Sequence, residues 1–149
     1  MKRMRGRIWL GLALFMPLPP AAAQTGLASF DQAEVDRRDE AAQALVREGR
    51  YDAAEALFRE NLAIVERGAG PDHPDALIAR NNLGTVLLYQ GRAREAVPLL
   101  EAAVAGLERV RGADDQDLLA SMGVLGNALQ LTGRVPEAER LLRGVATSR

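Results

Sequence analysis

The chain has 149 residues, of which 48% are hydrophobic and 26% are charged, and its 19 Lys+Arg nearly balance its 20 Asp+Glu. That length and apolar content are typical of one folded domain, which argues against a wholly disordered chain. The sequence contains no cysteine, so disulfides, thiolate metal sites and a cysteine nucleophile are excluded. Its one histidine, His73, cannot form a histidine zinc cluster.

The first 23 residues have the features of a secretory signal peptide. A cationic start is followed by an apolar run over residues 8–18 and by small alanines at the −3 and −1 positions of a cut after Ala23. A membrane anchor is the alternative, but it needs about 20 apolar residues, and this run is shorter and contains Pro17. The pattern predicts a signal peptide at 1–23, a linker at 24–33 and a periplasmic or secreted protein.

Cleavage after Ala23 would leave an acidic chain. Removing Lys2, Arg3, Arg5 and Arg7 from the 19 cationic residues leaves 15 against 20 acidic ones. Because nucleic-acid binding relies on basic surfaces that neutralise phosphates, we expect no nucleic-acid ligand. Cleavage also removes the apolar run over residues 8–18, so we expect no stable membrane span in the cleaved chain.

The rest of the chain repeats with a period of 42 residues. Gly-Arg pairs begin at residues 49, 91 and 133, and alanines and leucines flank them at matching positions. In the second unit apolar residues follow one helical stripe, formed by Ala96, Leu99, Leu100, Ala103, Val104 and Leu107. We therefore predict an all-α fold with helices near 32–48, 51–67, 75–90, 93–110, 116–132 and 135–147.

Glycines and prolines give further expectations about each helix pair. The glycine of each Gly-Arg pair stands where a first helix has to end, since glycine accepts a left-handed backbone at little cost. We expect Gly84 to face Ala96, and Gly126 to face Ala138, so that two helix backbones approach closely. Pro98 lies well inside its helix, and we expect it to bend or shorten the start of that helix.

The second unit resembles the tetratricopeptide repeat. The matching residues are Leu83-Gly84, Leu87, Ala96, Leu100 and Ala103. The segments Asn81-Asn82-Leu83-Gly84 and Gly70-Pro71-Asp72-His73-Pro74-Asp75 look like the 42-residue subtype of kinesin light chains and many bacterial proteins. The first unit departs from the pattern with Ala41-Ala42 in place of Leu-Gly, and the third departs with Ala113-Asp114-Asp115-Gln116 in place of the proline-rich loop.

The resemblance implies a right-handed α-solenoid over 34–149, with three helix-turn-helix repeats at about 34–70, 75–112 and 117–149. It also implies a non-enzymatic scaffold whose first helices line a concave groove for an unknown protein or peptide. Carried over by position, the groove residues are Gln43, Arg47, Ile78, Asn81, Thr85, Leu88, Tyr89, Gly123, Asn127, Gln130 and Leu131. Three of them, Asn81, Asn127 and Gln130, suit the backbone of an extended peptide, because an amide both donates and accepts.

Alternatives stay open for the groove and for the end of the array. The polar groove residues fit a solvated surface equally well. No further helix is predicted after 147, so we expect the apolar side of helix 135–147, around Leu141 and Val145, to be covered by a second copy or another subunit. The chain also fits a truncated member of a longer repeat family.

The sequence contains no catalytic or cofactor pattern. None of its three serines stands in a G-x-S-x-G turn, and no glycine-rich phosphate loop is present. We therefore predict no enzyme, no cofactor and no metal. Some proteins of the resembled family bind the C-terminal carboxylates of a partner with lysines and arginines on the groove. The first repeat instead carries the acidic residues Asp36, Asp39 and Glu40, which disfavour such a partner and favour a basic or neutral one.

Overall fold

In a computed structural model, residues 30–147 are described, and they form six α-helices without a strand. These are α1 (Gln32–Arg47), α2 (Tyr51–Ala69), α3 (Pro74–Tyr89), α4 (Ala93–Arg111), α5 (Gln116–Leu131) and α6 (Val135–Thr147). The all-α prediction is confirmed, and each helix end lies within two residues of its predicted place. The predicted signal peptide at 1–23 and most of the linker at 24–33 lie outside the described residues.

The helices stack in chain order. Each one packs against the helix before it and the helix after it, and α3 also contacts α5. Contacts between sequential neighbours are typical of a solenoid, in which each repeat rests on the next. None of the six helices is long and apolar enough to cross a membrane.

Each first helix ends in a glycine turn. The three turn glycines have positive φ angles of 75°, 75° and 82° at Gly49, Gly91 and Gly133. In the second turn the Arg92 N–H donates back to the Leu87 carbonyl at 2.8 Å, and the other two turns repeat this bond. This geometry satisfies carbonyls that the helix end leaves free and requires a residue without a Cβ at the left-handed position. The prediction for these glycines is confirmed.

The core follows the 42-residue period. Ala54, Ala96 and Ala138 are 0% exposed, and each of them lies near the start of a second helix. Leu83 and Leu87 of α3 pack in the same cluster and are 1% exposed. A small residue at the start of each second helix lets the two helices of a repeat approach, and the leucines fill the space beyond.

Gly84 and Gly126 lie close against leucine side chains of the following helix. A methyl group added to Gly84 would lie 2.7 Å from Cγ of Leu100, and one added to Gly126 would lie 2.7 Å from Cδ2 of Leu142. Ala96 is fully buried, but the nearest atoms to Gly84 belong to Leu100, one turn further along α4. Leu100 therefore fills the space beside Gly84, and the pairing of Gly84 with Ala96 stays a prediction.

Pro98 does not shorten its helix, so that part of the expectation was wrong, whereas a bend at Pro98 stays a prediction. The helix α4 begins at Ala93 and continues through Pro98 to Arg111. A proline inside a helix removes one donor to the carbonyl four residues earlier, here that of Arg94. Both residues are exposed, so water can reach the carbonyl that Pro98 leaves free.

The arginine of the Gly-Arg pair links a repeat to the one before it. Arg92 pairs with Glu95 in the first turn of α4 and reaches back to Oε2 of Glu55 on α2 at 2.8 Å. Burial raises the pKa of the Glu55 carboxyl, but hydrogen bonds from Gln90 and Arg59 and the charge of Arg92 outweigh burial and hold the pKa below its usual value. The ionised form of Glu55 therefore stabilises the contact between the first two repeats.

We expect Glu55→Gln to lower the free energy of unfolding at pH 7 by about 1 kcal/mol, because Glu55 is 13% exposed and accepts charged hydrogen bonds. A carboxyl with a lowered folded pKa stabilises the fold above its unfolded pKa, near 4.5, and loses this contribution as the pH falls through the folded pKa. The difference in free energy of unfolding between the variant and the wild type should therefore shrink as the pH falls. Urea unfolding at several pH values measures it, and Glu108→Gln, an exposed position, is the control.

Candidate interaction groove

The first helices α1, α3 and α5 form one face of the array, which we call the groove. The α1 and α3 helices are joined by a hydrogen bond from Nδ2 of Asn82 to Oδ1 of Asp39 at 3.1 Å, and α3 contacts α5. Cavities open along the groove between these helices, and their chemistry changes from one end to the other.

The acidic cavity lies between α1 and α3 at the start of the groove and has a volume of about 310 Å³. Four carboxylates and one buried amide are among its lining residues, which are Gln32, Val35, Asp36, Asp39, Glu40, Asn61, Asp75, Ile78 and Ala79. Ile78 is the predicted groove residue that the structure places here.

The middle cavity lies further along the same pair of helices and has a volume of about 240 Å³. Its lining residues are Gln43, Val46, Arg47, Phe58, Asn82, Thr85, Val86 and Tyr89. The Tyr89 ring stacks on Tyr51, with centroids 5.4 Å apart and 17° between the ring planes, and Tyr89 is still 58% exposed. Four predicted groove residues, Gln43, Arg47, Thr85 and Tyr89, meet at this cavity.

The apolar cavity spans α3, α5 and α6 and has a volume of about 870 Å³. Its lining residues are Thr85, Leu88, Tyr89, Gln116, Leu119, Ala120, Gly123, Val124, Asn127, Leu131, Leu142 and Val145. Leu131 is 62% exposed, so a large apolar side chain of the cavity lies open to solvent. The predicted groove residues Thr85, Leu88, Tyr89, Gly123, Asn127 and Leu131 are brought together here.

Two predicted groove residues line none of these cavities. Asn81 is half-buried, and its Oδ1 is buried without a hydrogen-bond partner among residues 30–147. Gln130 is exposed on α5. Of the three amides expected to face one extended peptide, the structure places Asn127 alone in a cavity.

The 42-residue period accounts for the change of chemistry along the groove. Glu40 on α1 has Asn82 as its counterpart on α3 and Val124 as its counterpart on α5. The same trend holds for Asp36, Ile78 and Ala120, and for Arg47, Tyr89 and Leu131. These three sets of equivalent positions carry charged side chains on α1 and apolar ones on α5, whereas Gln43, Thr85 and Asn127 are polar in all three repeats.

The repeat architecture agrees with a family of known proteins. The sequence model described as tetratricopeptide repeat matches residues 31–109 and 86–144, which include most of the described part of the chain. This chain belongs to the tetratricopeptide repeat family. Tetratricopeptide repeat proteins generally act as protein–protein interaction modules, and the fold of this chain suggests the same class of role. No curated protein shows significant sequence similarity to it.

Solved structures have the same fold. A protein described as a kinesin light chain with nearly identical TPR-like repeats, from Podosopora anserina, is 29% identical with a TM-score of 0.66 over 85% of this chain and 60% of that one. BtubC from P. vanneervenii (17% identity, TM-score 0.71) and the TPR domain of Arabidopsis FLU (18%, 0.68) share the fold. The match covers 77% of this chain and 45% of BtubC, and 78% of this chain and 94% of the FLU domain.

Leu142 in the third repeat is less buried than its counterparts in the first two repeats. Phe58 of α2 and Leu100 of α4 occupy equivalent positions and are 2% and 0% exposed, because the first helix of the next repeat lies over them. Leu142 of α6, their counterpart, is only half-buried and lines the apolar cavity. Leu142 thus borders an open space, whereas Phe58 and Leu100 are covered.

The single histidine has a structural role in this fold. Nδ1 of His73 accepts a hydrogen bond from the Asp75 N–H at 3.2 Å and so caps the start of α3. Its ring packs edge-on against Phe30, with centroids 5.7 Å apart. Across the described residues, no three acidic or histidine side chains converge in a way that could hold a metal ion.

Sequence reasoning missed several cavity residues. Leu119, Val124 and Leu142 line the apolar cavity, and Asn61 and Asp75 line the acidic one, but none of them was among the predicted groove residues. The period itself carried a signal for Leu142, because its counterparts in the first two repeats are covered by a following helix. The period also carried a signal for Asn61, because an amide stands where the other two repeats have Ala103 and Val145.

Proposed function

We propose that this chain is a non-enzymatic tetratricopeptide repeat scaffold that binds a segment of a partner protein in the groove. The apolar cavity is the observation that carries the proposal. Exposed Tyr89 and Leu131 stand at its edges, and Leu119, Val124 and Leu142 line it. Exposed apolar patches of this kind are common at protein interaction sites, where a few aromatic and aliphatic residues supply most of the affinity.

The proposed partner places apolar side chains in this cavity. Asn127, exposed on α5 within the cavity wall, is positioned to donate to a partner carbonyl and accept from a partner N–H. Polar groups of this kind orient a segment that apolar contacts hold. We assign the contacts of the groove to recognition and none of them to catalysis.

Leu131→Glu tests this proposal, because it places a charge in the apolar cavity at a position that is 62% exposed and hence tolerant in the folded chain. We expect the yield of a partner captured from the native cell envelope to fall by about tenfold or more, as for a residue at the centre of an interface. Quantitative mass spectrometry of the captured proteins measures this yield.

Val110→Glu is the matched control for that experiment. Val110 is 44% exposed near the end of α4 and lines none of the groove cavities. The Val110→Glu substitution therefore introduces the same negative charge at an exposed apolar position outside the groove cavities. Equal yields from wild type, Leu131→Glu and Val110→Glu would show that the groove does not bind the partner.

A second candidate function is self-association through the end of the array. The half-buried Leu142 and Val145 favour it, since their counterparts Leu100 and Ala103 are fully buried under a following helix. In this arrangement a helix of a second copy covers the apolar cavity. Sedimentation equilibrium at high micromolar concentration distinguishes the two, because a stable monomer contradicts self-association and leaves the groove open for a partner.

We also propose that the chain is exported, on the signal-peptide pattern of residues 1–23. Expression in a Gram-negative host should give a periplasmic product that begins at Gln24. N-terminal sequencing of the fractionated protein measures the cleavage site. A cytoplasmic product that retains Met1 would contradict export.

A further inference from the structure

Asn61 is a polar residue at a core position. Its side chain is 1% exposed, and Nδ2 donates to the Val35 carbonyl at 3.0 Å, which fixes the orientation of the amide. Oδ1 of Asn61 is buried and accepts no hydrogen bond from the described residues. A buried acceptor without a donor is unfavourable, and the equivalent positions of the other two repeats hold Ala103 and Val145. Asn61 lines the acidic cavity, so a ligand in that cavity can supply the missing donor.

The carboxylates of the acidic cavity lack cationic partners. Arginines pair with most neighbouring acids, as Arg38 does with Glu34 and Glu60 and as Arg80 does with Glu66. Within the described part of the chain, Asp36, Asp39 and Glu40 form no such ion pair, and the hydrogen bonds that Asp36 and Asp39 accept come from neutral amides. The nearest cationic candidate for Asp75 is His73, whose Nδ1 lies 3.9 Å from Oδ2 of Asp75. The cavity therefore concentrates negative charge that the chain itself does not neutralise.

The wall of the cavity is apolar between these acceptors. Val35 and Ala79 are 7% and 6% exposed, and the half-buried Ile78 lies beside them. A long cationic side chain packs its methylene groups on such a wall while its charged end reaches acceptors. A hydrated metal ion would gain nothing from the wall, and the carboxylates do not converge on one point as metal ligands do.

We propose that the acidic cavity binds an arginine side chain of the partner. The acceptors are spread over α1, α2 and α3, and a guanidinium carries five N–H donors in a planar fork that can reach several of them, including Oδ1 of Asn61. The smaller ammonium of lysine offers three donors from one point. This inference rests on the proposed function, since it names the chemistry that the first-repeat end of the groove recognises.

The test uses a small probe and therefore needs no identified partner. N-acetyl-arginine methylamide is titrated into the 15N-labelled chain, and the Asn61 side-chain amide and the backbone amides of α1 and α3 are followed by NMR. We expect saturable shifts confined to the acidic cavity, with a dissociation constant on the order of 1 mM for a probe of this size. The citrulline analogue, which has the same shape without the charge, should cause no saturable shift, and the lysine analogue should bind more weakly.

Two pairs of substitutions separate the cavity from general charge effects. Asp36→Asn with Glu40→Gln removes two charges of the cavity at exposed positions, and it should weaken probe binding by about tenfold. Glu108→Gln with Asp114→Asn removes the same charge at exposed positions outside the cavity and should leave binding unchanged. Asn61→Ala, read on the backbone amides, should also weaken binding.

Several results would overturn the arginine assignment. These are the absence of saturable shifts, equal binding of the citrulline or lysine analogue, and equal weakening by the two pairs of substitutions. The groove itself is tested separately by Leu131→Glu. Failure of the probe with loss of capture in Leu131→Glu would refute the arginine site alone, whereas probe binding with unchanged capture would refute the proposed function.

Discussion

Leu100→Ala is expected to lower the free energy of unfolding by about 2–5 kcal/mol. Leu100 is 0% exposed at the junction of the second and third repeats, and its atoms lie against Gly84. Truncation removes a fully buried side chain and leaves a cavity that α3 and α5 cannot close without moving. Urea unfolding followed by far-ultraviolet circular dichroism measures the loss.

Leu142→Ala is the matched control for Leu100→Ala, since the two leucines stand at the same position of successive repeats. Leu142 is half-buried and already borders the apolar cavity, so its truncation enlarges an open space. We expect a loss of less than about 1.5 kcal/mol. Equal losses for the two variants would show that the end of the array is covered in solution, as self-association requires.

Gly84→Ala is expected to lower the free energy of unfolding by about 1–3 kcal/mol, although alanine is the better helix former. The added methyl group would lie 2.7 Å from Cγ of Leu100 and 2.8 Å from its Cδ2. Leu100 is enclosed on all sides and cannot move away, so the two helices of the second repeat have to separate. Thermal and urea unfolding of the variant measure the cost.

Gly126→Ala places the same methyl group against Leu142, with 2.7 Å to Cδ2 and 2.8 Å to Cγ. Leu142 borders an open cavity and can change rotamer, while the helix gains up to about 1 kcal/mol from replacing glycine. We therefore expect a change within about 1 kcal/mol of zero. A loss as large as that of Gly84→Ala would contradict the view that the last repeat is open.

The sequence was sufficient to predict the helices and their turns. The 42-residue period places glycine at 49, 91 and 133, and a left-handed turn after a helix follows from the chemistry of glycine alone. Local rules also predict where each apolar stripe lies. They did not decide whether Pro98 shortens its helix, because that effect depends on how the helix is packed and solvated.

The cavities of the groove could be predicted only in part. Position in the repeat was enough to place Thr85, Tyr89 and Asn127 in cavities. It did not distinguish a side chain that lines a cavity from one that does not, such as Asn81, whose Oδ1 is buried. It also gave no reason to single out Asn61, because a missing hydrogen bond becomes visible only when all neighbouring donors are in place.

The two ends of the groove differ in the side chains that they would accept. At the first repeat the cavity is acidic and small, and at the third it is apolar and larger. A partner segment with arginine at one end and apolar residues at the other would satisfy both. This difference between the acidic and the apolar cavity would also fix the direction in which the segment lies, because the reverse orientation would bury a cation among leucines.

Site-specific photo-crosslinking tests the central claim of groove binding most directly. A benzophenone amino acid is placed at Asn127, which is exposed inside the apolar cavity, or at Glu108, which is exposed on α4 outside the groove. After irradiation in the native cell envelope, we predict one partner crosslinked from position 127, absent from position 108, and lost when Leu131→Glu is added. The same proteins crosslinked from both positions, or no loss with Leu131→Glu, would contradict the groove as the binding site.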